Sequence, residues 1–148
     1  MPDEQPIAIL LIEDEPAHAE IVRRNFENIG IANMLQHVSD GEAALDYLYR
    51  KNAFSDPATS PRPGLILLDL RLPKVDGQQL LKTIKSDPGL NNIPVVVLTT
   101  SASKADIAMA YRNNVNSYLV KPVDFRQFSE LLRTLGTYWL SFNHHSIT

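Results

Sequence analysis

Three carboxylates, a hydroxyl and an ammonium stand just past four apolar runs in this 148-residue chain. Residues 7–12 lead into Glu13-Asp14, residues 65–68 into Asp69, residues 93–98 into Thr99, and residues 118–120 into Lys121-Pro122. If the runs are parallel strands of one sheet, all four endings share one edge, where such a sheet binds its ligands. Carboxylates gathered there repel one another unless a cation intervenes. A hard divalent cation such as Mg2+ takes oxygen ligands, commonly one or two carboxylates together with phosphate oxygens and water. Thr99 offers a donor to a phosphoryl oxygen, and Lys121 offers a point charge. Phosphoryl transfer needs mainly positioning and charge stabilisation. With Asp69 as a carboxylate nucleophile, the set is suited to making an aspartyl phosphate.

The intervening segments read as the helices needed to hold those strands. The run at 7–12 is apolar at every position, as in a strand covered on both faces. Pro16 suits a first helical turn, Ile21, Val22, Phe26 and Ile29 recur at helical spacing, and Gly30 is a stop. A weaker strand is expected at 33–38. A helix follows over 41–51, capped by Ser39 or Asp40, with Ala44, Tyr47 and Leu48 inward. Residues 52–63 hold three prolines and read as a solvated connector on the face away from the polar endings. A third helix is expected over 78–85. Ser103 and Asp106 resemble a capping box for a fourth, reaching Arg112 and stopped by Asn113 or Asn114. Asp124 caps a fifth, carrying Phe125, Phe128, Leu131, Leu132 and Leu135. Five strands alternating with five helices make an α/β fold, a parallel sheet of order 2-1-3-4-5 with helices on both faces.

Composition narrows the function classes. The hydrophobic share is 44%, so a core can form, and there is no cysteine, which removes thiolate chemistry, Cys-ligated zinc and disulfides. A net charge of −3 does not favour binding to nucleic acid or an anionic membrane. No basic leader or membrane-length apolar stretch is present, and a cytoplasmic location is expected.

The order Glu13-Asp14, then 69–77 (Asp-Leu-Arg-Leu-Pro-Lys-Val-Asp-Gly), then Thr99, then Lys121-Pro122 resembles the receiver domain of two-component response regulators. The resemblance runs from about residue 7 to 135. It implies that Asp69 is the phosphoacceptor and that Asp14 and Asp69 ligate Mg2+. It also implies that Glu13 acts through bound water, with the Arg71 backbone carbonyl as a further ligand. Thr99 and Lys121 would hold the phosphoryl group, Tyr118 would be the switch aromatic, and the Lys121-Pro122 bond would be cis. The Leu-Thr-Thr-Ser stretch at 98–101, the proline-containing loop before Leu65 and the aromatic C-terminal segment look like the single-domain regulators that serve phytochromes. That narrower likeness implies a sensor histidine kinase of the phytochrome type as phosphodonor. Three positions depart from the wider pattern: Asn114-Val115 replace Gly-Ala, Thr100 replaces a small residue beside Thr99, and Arg71 borders the attacking water.

Taken singly, Asp14 and Asp69 are strand-end caps, Thr99 a strand residue, Tyr118 core, and Asp76-Gly77 a turn. Their order together carries the functional reading. His18 and His37 are expected at the surface, and His144-His145 on a terminal tail. A dehalogenase-like phosphatase needs a second acid where Arg71 stands. A flavodoxin-like binder needs a neutral phosphate loop where residues 13–15 are acidic. A pseudo-receiver acting as a constitutive dimeric scaffold is the remaining alternative. The chain is read as one domain, with a core at 7–135 and an extension at 136–148. Tyr138, Trp139 and Phe142 prolong the apolar spacing of the last helix, either folding back or anchoring a homodimer. With no room for a DNA-binding domain, output is expected through protein contacts.

Overall fold

The computed structural model describes residues 7–30 and 35–139. Five strands form one parallel sheet: β1 (Ala8–Ile12), β2 (Leu35–Val38), β3 (Pro63–Leu68), β4 (Val95–Thr99) and β5 (Ser117–Val120), in the order β2-β1-β3-β4-β5. The helices are α1 (Pro16–Asn28), α2 (Gly41–Leu48), α3 (Gly77–Ser86), α4 (Lys104–Arg112) and α5 (Phe125–Thr137). This is the expected architecture.

Alternation along the strands explains why the apolar runs are unbroken. Ile9, Leu11, Leu65, Leu67, Val96 and Leu98 pack with α1 and α5, through Val22, Phe26, Phe128, Leu132 and Leu135. Leu10, Ile12, Ile66, Leu68, Val95 and Val97 pack on the other face with α2, α3 and α4. Side chains point alternately to opposite faces, so a strand covered on both sides is apolar throughout.

Strand order reverses between β1 and β3. Their register pairs Ile12 with Leu68, which brings Asp14 and Asp69 past the same edge. The Asp69 N–H donates to the Ile12 carbonyl at 3.0 Å, and the Lys121 N–H donates to the Thr99 carbonyl at 2.7 Å. These bonds carry the ladder one residue into the polar edge. Close backbone approach braces the loop after Asp69: a Cβ on Gly77 would lie 2.4 Å from Leu70 Cα. Asp76 caps α3 by accepting from the Gln79 N–H at 3.3 Å.

Several boundaries differ from expectation. Helix α2 ends at Leu48, because Arg50 (φ 54°) and Asn52 (φ 55°) turn left-handed immediately after it. The connector at 52–63 is docked. A single 3-10 turn, Asn52–Phe54, sets Phe54 against the Tyr47 ring at 5.3 Å. Ser60 is buried, and the Tyr47 hydroxyl donates to the Pro61 carbonyl at 2.8 Å. Asn114 takes the left-handed stop after α4 (φ 66°), as expected where glycine is commoner. Helix α5 runs through Gly136, which is buried; Trp139 packs against the α1–α5 core, while Tyr138 is half exposed.

Candidate functional site

Asp69 lies at the centre of the polar edge and is buried. Its Oδ1 accepts from the Thr99 hydroxyl at 2.9 Å and from the Arg71 backbone N–H at 3.0 Å. Its Oδ2 accepts from Lys121 Nζ at 2.9 Å. Thr99 is fully buried as the last residue of β4, so its hydroxyl has no water to turn towards.

Lys121 follows β5 with its side chain only 2% exposed. An ammonium buried to that degree must be paired. It donates to Glu13 Oε1, to Asp69 Oδ2 and to His18 Nδ1, the last at 2.9 Å. Glu13 is likewise buried, and its Oε2 accepts from the Glu15 N–H at 3.2 Å. The exposed His37 braces the same strand end, its Nε2 lying 2.7 Å from the Glu13 carbonyl oxygen.

The carboxylates differ electrostatically. Burial pushes Glu13 up to about 7, against the opposing pull of Lys121. Burial pushes Asp69 up too, but the Arg71 N–H, Lys121 and the Thr99 hydroxyl outweigh it, and Asp69 sits below its ordinary value. Asp69 is thus held as the ionised carboxylate, the form a nucleophile needs.

Glu13, Asp14 and Asp69 each present an oxygen, and the three atoms lie within 4.8 Å of one another. Asp14 is partly exposed at the mouth. An all-oxygen set at this spacing fits a hard divalent cation.

A second polar chain leads away from the site. The Ser101 N–H lies 3.5 Å from Thr99 Oγ1, and the Tyr118 hydroxyl donates to the Ser101 carbonyl at 2.8 Å. The Ser101 hydroxyl bonds to the Asp106 carboxylate. Gln78 Nε2 donates to the Asp106 carbonyl at 2.9 Å, joining α4 to α3. Ser103 caps α4 by accepting from the Asp106 N–H at 3.3 Å. The expected reciprocal box is absent, because the Asp106 carboxylate turns to Ser101 instead.

The match to known proteins follows this geometry. Residues 9–133 match the family model of the response regulator receiver domain. This chain belongs to that family. It is 46% identical over 140 residues to the probable methanogenesis regulatory protein FilR2 of Methanothrix harundinacea, covering 95% of this chain and 88% of that one. It is 39% identical over 135 residues to response regulator Rcp1 of Synechocystis sp., covering 91% of this chain and 90% of Rcp1. The crystal structure of the Mn2+-bound form of Rcp1 superposes with a TM-score of 0.89, covering 95% of this chain and 99% of that one. The phosphorylated cyanobacterial phytochrome response regulator RcpA gives 0.88 at 37% identity, with the same coverage. The receiver is a two-component signalling module rather than a conventional enzyme, and receivers bind a divalent metal. Among the described residues no helix is long and apolar enough to cross a membrane.

The structure thus gathers Glu13, Asp14, Asp69, Thr99 and Lys121 at one edge, with the Arg71 backbone beside them. Tyr118 stands one step away through Ser101. Thr100 is exposed. No cis peptide bond occurs among the described residues, so Lys121-Pro122 is trans, contrary to the resemblance. The X–Pro preference for trans is only about 0.5–1 kcal/mol, so the resemblance alone does not fix the isomer. Phe142 and His144-His145 lie outside the described residues.

His18, expected at the surface, is partly exposed at the mouth of the site, and its contact with Lys121 is what sequence reasoning missed. A signal for its inward placing was available: His18, Val22, Asn25 and Ile29 recur at spacings of four, three and four, placing His18 at the top of the inward face of α1. The Ser101–Asp106 contact had no such signal, because it depends on how the β4–α4 loop folds.

Proposed function

We propose that this receiver accepts a phosphoryl group on Asp69 from a sensor histidine kinase, with Mg2+, and signals through a conformational change relayed by Thr99. The observation that carries this reading is the triple hold on the Asp69 carboxylate by Thr99, Lys121 and the Arg71 N–H. These groups fix the nucleophile and keep it ionised. In the transfer, the bond from an Asp69 oxygen to phosphorus forms while the phosphorus–nitrogen bond of a phosphohistidine breaks. The bonding pair leaves on the imidazole nitrogen. Lys121 and Thr99 then turn their donors to phosphoryl oxygens.

Glu13, Asp14, Asp69 and the Arg71 carbonyl would hold the metal. When bound, Mg2+ supplies positive charge to the phosphoryl oxygens and relieves repulsion among the carboxylates. Loss of the Thr99–Asp69 bond frees residues 99–101. Tyr118 is tied to Ser101, so the change reaches the surface beside α4.

The phosphodonor we infer is a phytochrome-type kinase, on the strength of the similarity to the phytochrome response regulator RcpA. The 46% identity to FilR2, a probable methanogenesis regulatory protein, supports a second reading, in which the same receiver answers a metabolic rather than a light signal. Self-dephosphorylation belongs to the proposal as well. So does a homodimer through α5, for which the half-exposed Tyr138 is the support among the described residues.

Mass spectrometry after incubation with acetyl phosphate tests the core of this reading. The expected result is one Mg2+-dependent phosphoryl adduct that is lost in Asp69→Asn. No adduct on the wild type would favour the scaffold alternative. Light scattering on the same samples reads whether the adduct changes oligomer size. Transfer from a purified phytochrome kinase, compared with a non-photoreceptor histidine kinase, separates the two donors.

A further inference from the structure

The contact that the phosphoacceptor reading does not use is His18 to Lys121. An ammonium has three N–H donors and no acceptor. Lys121 spends them on Glu13 Oε1, Asp69 Oδ2 and His18 Nδ1. Two of these acceptors are the carboxylates whose engagement changes when a cation and a phosphoryl group arrive. His18 is the third, and it is neutral when it accepts.

The imidazole is itself held. Its ring meets the Phe128 ring edge-on, at 6.0 Å between centroids and 86° between planes. Phe128 is buried in α5, which packs directly on α1. His18 therefore presents Nδ1 to Lys121 from a fixed ring, while the side chain remains 31% exposed at the mouth of the site.

We propose that His18 is a positioning residue for phosphoryl transfer: its Nδ1 lone pair holds the Lys121 ammonium on the phosphoryl side of Asp69 throughout the reaction. This rests on Asp69 being the phosphoacceptor. The chemical logic is selective. A carboxylate at this place would neutralise the charge that Lys121 must lend to the phosphoryl oxygens. An apolar residue would leave one N–H unpaired and the ammonium free to turn. A neutral acceptor fixes direction and leaves the charge intact. Because lysine can only donate, the imidazole proton must sit on Nε2.

The test has two arms. In the first, 15N NMR of the wild type at neutral pH reads the tautomer, with the His18 signals assigned by their loss in His18→Asn. The expected result is an unprotonated Nδ1 with the proton on Nε2; a protonated Nδ1 overturns the proposal. The second arm follows uptake from acetyl phosphate, in which the bond from Asp69 oxygen to phosphorus forms and the phosphorus–oxygen bond breaks with its pair leaving on acetate. His18→Leu is expected to slow uptake about fivefold to tenfold, the scale of one ordinary lost hydrogen bond. His18→Asn should restore most of the rate, because its amide oxygen occupies the place of Nδ1. Uptake by His18→Leu at the wild-type rate, or equal slowing in both variants, overturns the proposal while leaving the phosphoacceptor reading intact. No uptake by the wild type overturns that reading first.

Discussion

Helices α5 and α4 flank the same sheet and are attached to it in opposite ways. Helix α5 buries Phe128, Leu132, Leu135 and Gly136, and together with α1 closes one face of the sheet. Helix α4 buries Ala110 alone and leaves Met109 and Tyr111 exposed. What holds α4 is largely polar: the Ser103 cap, the bond from Ser101 to Asp106, and the reach of Gln78 from α3. Apolar packing is non-directional and insensitive to local charge, whereas a hydrogen-bonded strap depends on the positions of a few atoms. The chain thus places rigidity under Lys121 and adjustability beside Thr99.

The largest expected effect tests the rigid side. Phe128→Ala should lower global stability by about 3–5 kcal/mol, measured by urea unfolding. Met109→Ala on the exposed face of α4 should change it by less than about 0.5 kcal/mol. Equal losses would erase the contrast. Next, Gln78→Ala should cost about 1–2 kcal/mol and raise hydrogen exchange in α4 selectively. Exchange that rises evenly through α5 would show that the strap is not local.

The site itself sharpens the comparison through pH. Glu13 is held up to about 7, so its proton competes with a cation near neutrality. In the proposed metal site the ionised form would be the ligand, so affinity would rise with pH. Between pH 6 and 8, Mg2+ affinity by calorimetry should increase by about tenfold, and Glu13→Gln should flatten the dependence. An affinity independent of pH in the wild type would remove Glu13 from the metal set. A smaller loss than for Gln78→Ala is expected for Tyr118→Phe, which gives up the bond to the Ser101 carbonyl and should cost about 1 kcal/mol. Its informative readout is faster exchange at residues 99–103 with α5 unchanged.

What the sequence made legible follows from where each signal is stored. The apolar runs, Pro16, Asp124 and the polar endings are local, so strands, helix starts and the placement of Asp14, Asp69, Thr99 and Lys121 on one edge could be read directly. The end of α2 could not, because it is decided by left-handed turns at Arg50 and Asn52, neither of them glycine. The docking of residues 52–63 was hidden as well, since it depends on Tyr47 reaching Pro61 across the fold. The inward placing of His18 was legible by periodicity, but its contact with Lys121, 103 residues away in sequence, was not. Trp139 illustrates the same limit: its spacing matched α5, yet only the packed fold decides that it returns to its own core while Tyr138 does not.

Thr99 has a single hydroxyl hydrogen, and here it is given to Asp69. In the proposed reaction that hydrogen goes instead to a phosphoryl oxygen. It cannot serve both fully at once, so each molecule is in one arrangement or the other. The device is a one-bit register, and a graded cellular response would be a count of molecules in each setting rather than a degree of tilt within any one of them.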